Sequence, residues 1–183
     1  MFEVLQTPGE IDSLRTQRLL LRPLTLDDAP AYWPLVSDAD ILRHVGEPVR
    51  TSLDEVRALL RDKPLADYCR HGHGRLGVIE RDSGRLVGWC GLKVVPDLGG
   101  EIDIGYRFLP DCWGRGYATE AGHAVIGHGF AHLRLTRIVG MVVPANLGSA
   151  RVLSKLGLVF ERQVVMPGHA EPVLLYAIQH AAA

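Results

Sequence analysis

The sequence predicts a mixed α/β (α+β) domain with helices packed on a single sheet, and three observations carry that reading. Strand-like and helix-like segments alternate along the chain, as they do where helices cover a sheet. Turn residues at Asp82-Ser83-Gly84 and Gly99-Gly100 join strand candidates to their neighbours. In Asp103 to Ala121, DIGYRFLPDCWGRGYATEA, a strand, a glycine-rich turn and a helix start follow one another directly.

Taken in order, residues 1–13 have no periodicity and read as a lead-in, and 14–180 as one domain, for which 183 residues at 47% hydrophobic are sufficient. Thr16 to Leu24 is the first strand, its polar ends enclosing Leu19, Leu20 and Leu21. Thr25 and Asp28 form a capping pair for a helix running to about Ser37, whose regularity Pro30 and Pro34 limit. Asp40 to Val49 is a connector. Thr51 and Ser52 with Glu55 start a second helix, with Val56, Leu59 and Leu60 as its apolar stripe up to Pro64.

Gly77 to Arg81 and Leu86 to Val95 are strands on either side of the first turn. Ile104, Tyr106 and Phe108 then alternate with Asp103, Gly105 and Arg107 in a strand that Pro110 ends, having no N–H to donate. From Ala118 the small and apolar residues Gly122, Val125, Gly129 and Leu133 recur at helical spacing, which predicts a helix packed closely on the sheet. Arg137 to Val143 is β-rich, and Asn146 to Leu156 is a short helix stopped by Gly157. Val159 to Met166 and Val173 to Ile178 close the chain as strands.

Composition removes several classes of function. Twenty basic against 21 acidic side chains leave a net charge of −1, with no basic surface for nucleic acid or an anionic membrane. No apolar run approaches a membrane span. Cys69, Cys90 and Cys112 are odd in number and lack CxxC spacing, which points to a reducing compartment, and the acidic N-terminus does not read as a signal peptide. Together these predict a cytoplasmic protein acting on a small molecule or a polypeptide end.

The turn supplies the chemistry. Gly114 and Gly116 flank Arg115, so main-chain N–H groups can approach a ligand with no Cβ in the way. The following helix adds its free first-turn N–H groups and the positive end of its dipole, which together favour phosphate. The P-loop pattern is absent, and the dinucleotide fingerprint fails at Thr119.

The arrangement Phe108-x-Pro110-x-x-Trp113-Gly114-Arg115-Gly116-Tyr117-Ala118-Thr119-Glu120-Ala121 resembles the acyl-CoA-binding motif of the GNAT superfamily of N-acetyltransferases. It is most similar to the branch that acetylates the N-termini of ribosomal proteins, with Trp113 in place of the family's Gln or Arg. Pro144-x-Asn146-x-x-Ser149-x-x-Val152-Leu153-x-Lys155-Leu156-Gly157-Leu158-x-Phe160-Glu161 matches the family's second signature, and Arg18 to Pro23 its first strand. The resemblance implies a GNAT-like fold: a central mixed sheet of six to seven strands, helices on both faces, and splayed central strands at Asp103 and Arg137. It implies acetyl-CoA as co-substrate, with its pantetheine along the main chain near Phe108 and its pyrophosphate on the turn from Trp113 through Gly114, Arg115, Gly116, Tyr117 and Ala118 to Thr119. The helix pair between Thr25 and Pro64 would border the acceptor cleft.

Acetyl transfer to an amine needs a neutral nucleophile, donors for a developing oxyanion and a proton for the departing thiolate. Glu101 and Asp103 are two apart on one strand, hence on one face, and either is a candidate base or substrate-orienting group beside the plain reading of solvated charges. Ser149 matches the serine that the family branch offers as acid, although a serine at a helix start also serves as a cap; Tyr106 and Tyr117 are further candidates. Asn146 would bind pantetheine or a water, Arg115 the pyrophosphate and Arg151 the adenosine 3′-phosphate. His128 and His132 have zinc-ligand spacing but no third ligand, and Cys112 reads as packing, so no metal is expected.

An α-amine titrates near 7.7–8.0 and a lysine near 10.4, so a neutral lysine costs roughly 3.5 kcal/mol more at neutral pH. The acceptor implied is the α-amine of a protein or peptide. A small-molecule amine (antibiotic, amino acid or polyamine) is the alternative, and a non-catalytic acyl-CoA sensor the rival class. Exposed sheet edges leave room for a homodimer.

Overall fold

Side-chain alternation sorts the central strands into two cores. Val87, Cys90 and Leu92 of one strand join a cluster with Ile104, Phe108, Ala121 and Val125, while Trp89 of the same strand joins Leu24, Tyr32, Leu35, Val56 and Leu60 on the opposite face. The computed structural model describes residues 3–5, 11–44, 46–169 and 171–180. Its strands are β1 (Glu3–Leu5), β2 (Ser13–Arg15), β3 (Leu19–Pro23), β4 (Arg75–Glu80), β5 (Leu86–Val95), β6 (Glu101–Phe108), β7 (Arg137–Val142), β8 (Val159–Val164) and β9 (Val173–Gln179). They form one nine-stranded sheet in the order β1-β2-β3-β4-β5-β6-β7-β9-β8. All neighbours are antiparallel except β6 and β7, which the crossover helix between them makes parallel.

The helices are α1 (Ala29–Tyr32), α2 (Pro34–Ser37), α3 (Ala39–Leu42), α4 (Leu53–Leu60), α5 (Ala66–His71), α6 (Tyr117–Ala131) and α7 (Leu147–Lys155). Of these, α6 lies on the larger core, and Leu153 of α7 packs there too. The small residues of α6 allow a close approach: a Cβ on Gly122 would meet Leu156 Cδ1 at 2.6 Å. Opposite, α1, α2 and α4 cover the second core. A third cluster, including Val139, Val164, Met166 and Leu175, lies on the other face of β7, β9 and β8.

Most segment expectations hold, including the hairpin at Asp82 to Gly84 and the Ser52 cap, whose hydroxyl accepts from Glu55 N–H at 3.2 Å. Four details differ. The sheet has nine strands rather than six to seven, because two short strands, Glu3–Leu5 and Ser13–Arg15, precede the expected first strand, which itself begins at Leu19. Residues 1, 2 and 6–10 of the expected lead-in lie outside the described residues. The helix after Thr25 is three short pieces, with Pro30 and Pro34 at their starts, where a missing N–H costs nothing. The second helix does not stop at Pro64; residues Arg61–Leu65 widen into a π-turn and α5 continues to His71.

Candidate functional site

Strands β6 and β7 pair only at Asp103 and Val139 and then part. The gap opens into a cavity of about 390 Å³ with walls from both faces of the sheet. Trp89, Lys93, Asp103 and Arg107 line it from the face that carries α1 and α4, and Tyr106, Ser149 and Leu153 from the α6 face. The expected splay between Asp103 and Arg137 is thus a passage through the sheet.

Asp103 stands at the fork. Its Oδ1 accepts the Met141 N–H at 3.1 Å, a main-chain donor that the parting strands leave without a ladder partner, and its Oδ2 is 3.9 Å from Lys93 Nζ. The residue is 6% exposed. Burial outweighs both neighbours and lifts its pKa from an ordinary 3.8 to about 6. Burial likewise lowers the Lys93 ammonium, against the pull of Asp103.

Across the passage, Asn146 caps α7 by accepting the Ser149 N–H at 3.0 Å. This fixes Ser149 so that its Oγ lies 3.0 Å from the Tyr106 hydroxyl, which is also 3.0 Å from the Ser149 carbonyl. Burial pushes the Tyr106 phenol well up, keeping it protonated and a donor at neutral pH. Two hydroxyls are therefore held together in the wall opposite the carboxylate.

The remaining wall is charged. Arg107 is buried, donates to the Leu35 carbonyl and pairs with Glu47 at 2.8 Å, and Lys63 reaches the same carboxylate at 2.9 Å. These cations hold Glu47 at about 2 despite burial, the largest single influence, which acts the other way. Trp89 lies beneath two guanidinium groups, with Arg75 at 5.0 Å and Arg107 at 5.4 Å from its ring.

The turn follows β6 directly. Trp113 is 55% exposed, and its Nε1 donates to the Phe108 carbonyl at 2.8 Å, closing the strand end. Gly114 and Gly116 have φ of 72° and 80°, and Gly116 leads α6 with no side-chain cap. Nothing lies within 4 Å of where a Gly114 Cβ would stand. Arg18 and Arg115 each lie 4.6 Å from the Tyr117 ring centre; Arg18 binds Glu120 and the Arg115 carbonyl, while Arg115 and the Tyr117 hydroxyl bind Glu80. An uncapped fifteen-residue helix behind an open glycine turn, braced by arginines, fits a pyrophosphate.

The family model described as Acetyltransferase (GNAT) domain matches residues 18–159. The chain belongs to the GNAT acetyltransferases. An N-acetyltransferase of Bacillus subtilis, YoaA, described as uncharacterized, is 30% identical over 153 residues, covering 84% of this chain and 85% of that protein. The crystal structure of an acetyltransferase from Agrobacterium tumefaciens superposes with a TM-score of 0.79 at 29% identity, covering 96% of this chain and 99% of that one. RimL, a ribosomal L7/L12 α-N-protein acetyltransferase in complex with coenzyme A, gives a TM-score of 0.77 at 17% identity over 97% and 98% of the two chains, a likeness of fold.

Within this GNAT fold, Asp103, Asn146 and Ser149 come together around the cavity, whereas Glu101 does not line it. The Glu101 carboxylate is instead held by Arg137 Nε at 3.0 Å, and Arg137 also pairs with Glu161 at 2.8 Å. Phe108 is buried in the core, Trp113 to Gly116 form the turn, Tyr117 to Thr119 are the first residues of α6 with Tyr117 buried, and Arg151 is exposed on α7. Cys112 is buried among core residues, and its thiol is pushed up by burial. His128 stacks on His132 at 5.2 Å beside Asp12, and among the described residues no cluster of three or more ligand-type side chains is set to hold a metal. Among these residues no helix is long and apolar enough to cross a membrane.

Sequence reasoning missed Arg75, Trp89, Lys93 and Glu47 in the cavity wall. One signal was available: Asp103, Gly105 and Arg107 alternate on one face, where Gly105 leaves room for the Trp89 ring of the paired strand.

Proposed function

We propose that this GNAT enzyme moves the acetyl group of acetyl-CoA directly to an α-amine at the end of a protein or peptide, in a ternary complex. The observation that carries this reading is the passage through the split sheet, with a buried carboxylate on one side and two hydroxyls on the other. Acetyl-CoA supplies the activated acyl group. The turn from Trp113 to Thr119 would hold its pyrophosphate, with Arg115 and Arg18 beside it, and Asn146 and the parted edge of β6 would meet its pantetheine.

Asp103 takes the proton from the incoming ammonium. A carboxylate titrating at about 6 is ionised at neutral pH, and it lies within roughly two units of an α-amine at 7.7–8.0. A lysine would need a base tuned considerably higher. Ser149 Oγ, hydrogen-bonded to the Tyr106 hydroxyl, gives its proton to the leaving thiolate as the C–S bond breaks and regains one from the amine nitrogen, which sheds its second proton as the amide forms. Glu101 has no part in this scheme because Arg137 holds its carboxylate.

Titration calorimetry with acetyl-CoA, using ATP and NAD as controls, tests the donor. The Gly116→Trp variant should lose at least ~10-fold in acetyl-CoA affinity, because a side chain at φ 80° is strained and stands where the phosphates approach. Equal binding by folded variant and wild type would remove the turn from the donor site. Release of free CoA with peptide N-termini then tests the acceptor class.

A further inference from the structure

One wall of the cavity holds a cation that no carboxylate among the described residues reaches at ion-pair distance, although it feels the field of Asp103. Across β4, β5 and β6 the paired rows are Gly77–Trp89–Arg107, Arg75–Gly91–Gly105 and Lys93–Asp103. Residues opposite one another on antiparallel strands share a face, so Arg75, Trp89, Lys93, Asp103 and Arg107 rise from one surface. Gly91 and Gly105 contribute no side chain between Arg75 and Asp103; the Trp89 ring lies over Gly105, and the β4 main chain crosses close to Gly91.

Of the three cations, Arg107 is matched by Glu47 at 2.8 Å and Lys93 faces Asp103 at 3.9 Å. Arg75 lines the cavity with its guanidinium 5.0 Å from the Trp89 ring centre, and among the described residues it has neither a carboxylate partner nor a hydrogen-bond acceptor. Trp89 is 7% exposed, and its Nε1–H is buried with no acceptor. The indole N–H is thus closed to a ligand oxygen, and the open donor in this wall is the Arg75 guanidinium, a half-site that an anionic oxygen completes with charge-assisted hydrogen bonds. A polycation would instead meet repulsion.

We propose that the amine acceptor also bears a carboxylate, bound by Arg75 while Asp103 receives the ammonium; this rests on the N-acetyltransferase reading above. By sheet spacing the Cα atoms of Arg75 and Asp103 are about 12 Å apart, a span that the two side chains narrow from both ends. The two charged groups thus belong to one small amino acid or to the first residue of a peptide.

Acetylation of paired acceptors decides the matter: alanine against alaninamide, and Asp-Ala-Ala-Ala-amide against Asn-Ala-Ala-Ala-amide, with spermidine as the polycation. The carboxylate member of at least one pair should be favoured at least ~10-fold in kcat/KM, the amino-acid pair identifying an α-carboxylate and the peptide pair a side-chain one. Arg75→Gln should reduce that preference to within ~3-fold through KM, and Arg75→Lys should keep part of it. Equal use of both members, survival of the preference in Arg75→Gln, or spermidine as the best acceptor would each overturn the proposal. If acetyl-CoA binds but none of these amines is acetylated, the amine-transfer reading falls and this inference with it.

Discussion

Asp103→Asn should lower the rate of acetyl transfer by ~10²-fold or more while making the folded protein more stable at neutral pH. The rate loss follows from removing a positioned base, a contribution typically of 10²–10⁴. The asparagine Oδ1 can still accept the Met141 N–H, so the fork keeps its hydrogen bond. The stability gain follows from the raised pKa. A carboxyl whose folded value is about 6 and whose ordinary value is 3.8 binds protons more tightly when folded. Stability therefore falls as pH rises through that window, and above it the ionised, buried carboxylate destabilises the fold by up to about 3 kcal/mol. Asparagine carries no such penalty, so the variant's advantage should be full above pH ~6 and absent below pH ~4. Thermal melts across that range, alongside CoA-release rates, check both halves. An unimpaired rate would remove Asp103 from the mechanism, and a variant less stable at pH 7 would show that burial is not what governs this carboxyl.

Gly91→Ala should be among the most damaging single methyls in the molecule's centre. A Cβ there would lie 2.5 Å from Arg75 Cα and closer still to the Gly74 carbonyl oxygen, both main-chain atoms of the paired strand or its lead-in. No side chain can turn aside to make room, so β4 must move away from β5. A loss of about 3 kcal/mol or more is expected, equivalent to roughly 6–12 °C in melting temperature for a chain of this size. By contrast, Gly72→Ala meets nothing within 4 Å and carries only the strain of its φ of 68°, so it should cost less. Melting curves of the two variants side by side provide the check; equal midpoints would contradict the steric account.

How far the sequence could be read depended on whether a feature is local. The alternation over Asp103 to Phe108, the turn glycines and the short helix after Pro144 are each decided by a few neighbouring residues, and all appear where expected. Ser149 could be matched to a motif, but its contact with Tyr106, 43 positions away, could not be read from either residue. Glu101 shows the opposite limit: period-2 spacing places it on Asp103's face, yet Arg137 on β7 captures it. Arg75 acquires significance only when β4, β5 and β6 are laid side by side, because its place in the cavity wall is defined by which carboxylates fail to reach it. Pro64 conveyed a stop in the local reading, whereas the packed helix absorbs it as a π-turn.

The sheet's order has a consequence for the chain as it is synthesised. Strands β1 to β7 are neighbours in the order they leave the ribosome, but β9 inserts between β7 and β8. Until residues 173–179 emerge, β7 is joined to the rest at one register pair and β8 has no partner at all. Met141, whose N–H meets Asp103, pairs with Leu175 of that last strand. A nascent or clipped chain ending at Pro172 should thus keep a protease-resistant portion through β6 yet transfer no acetyl group; activity in such a chain would show that β7 holds its place unaided. Assembly of the reactive centre thus waits for β9, so a copy interrupted before residue 173 lacks the strand that holds Met141 against Asp103.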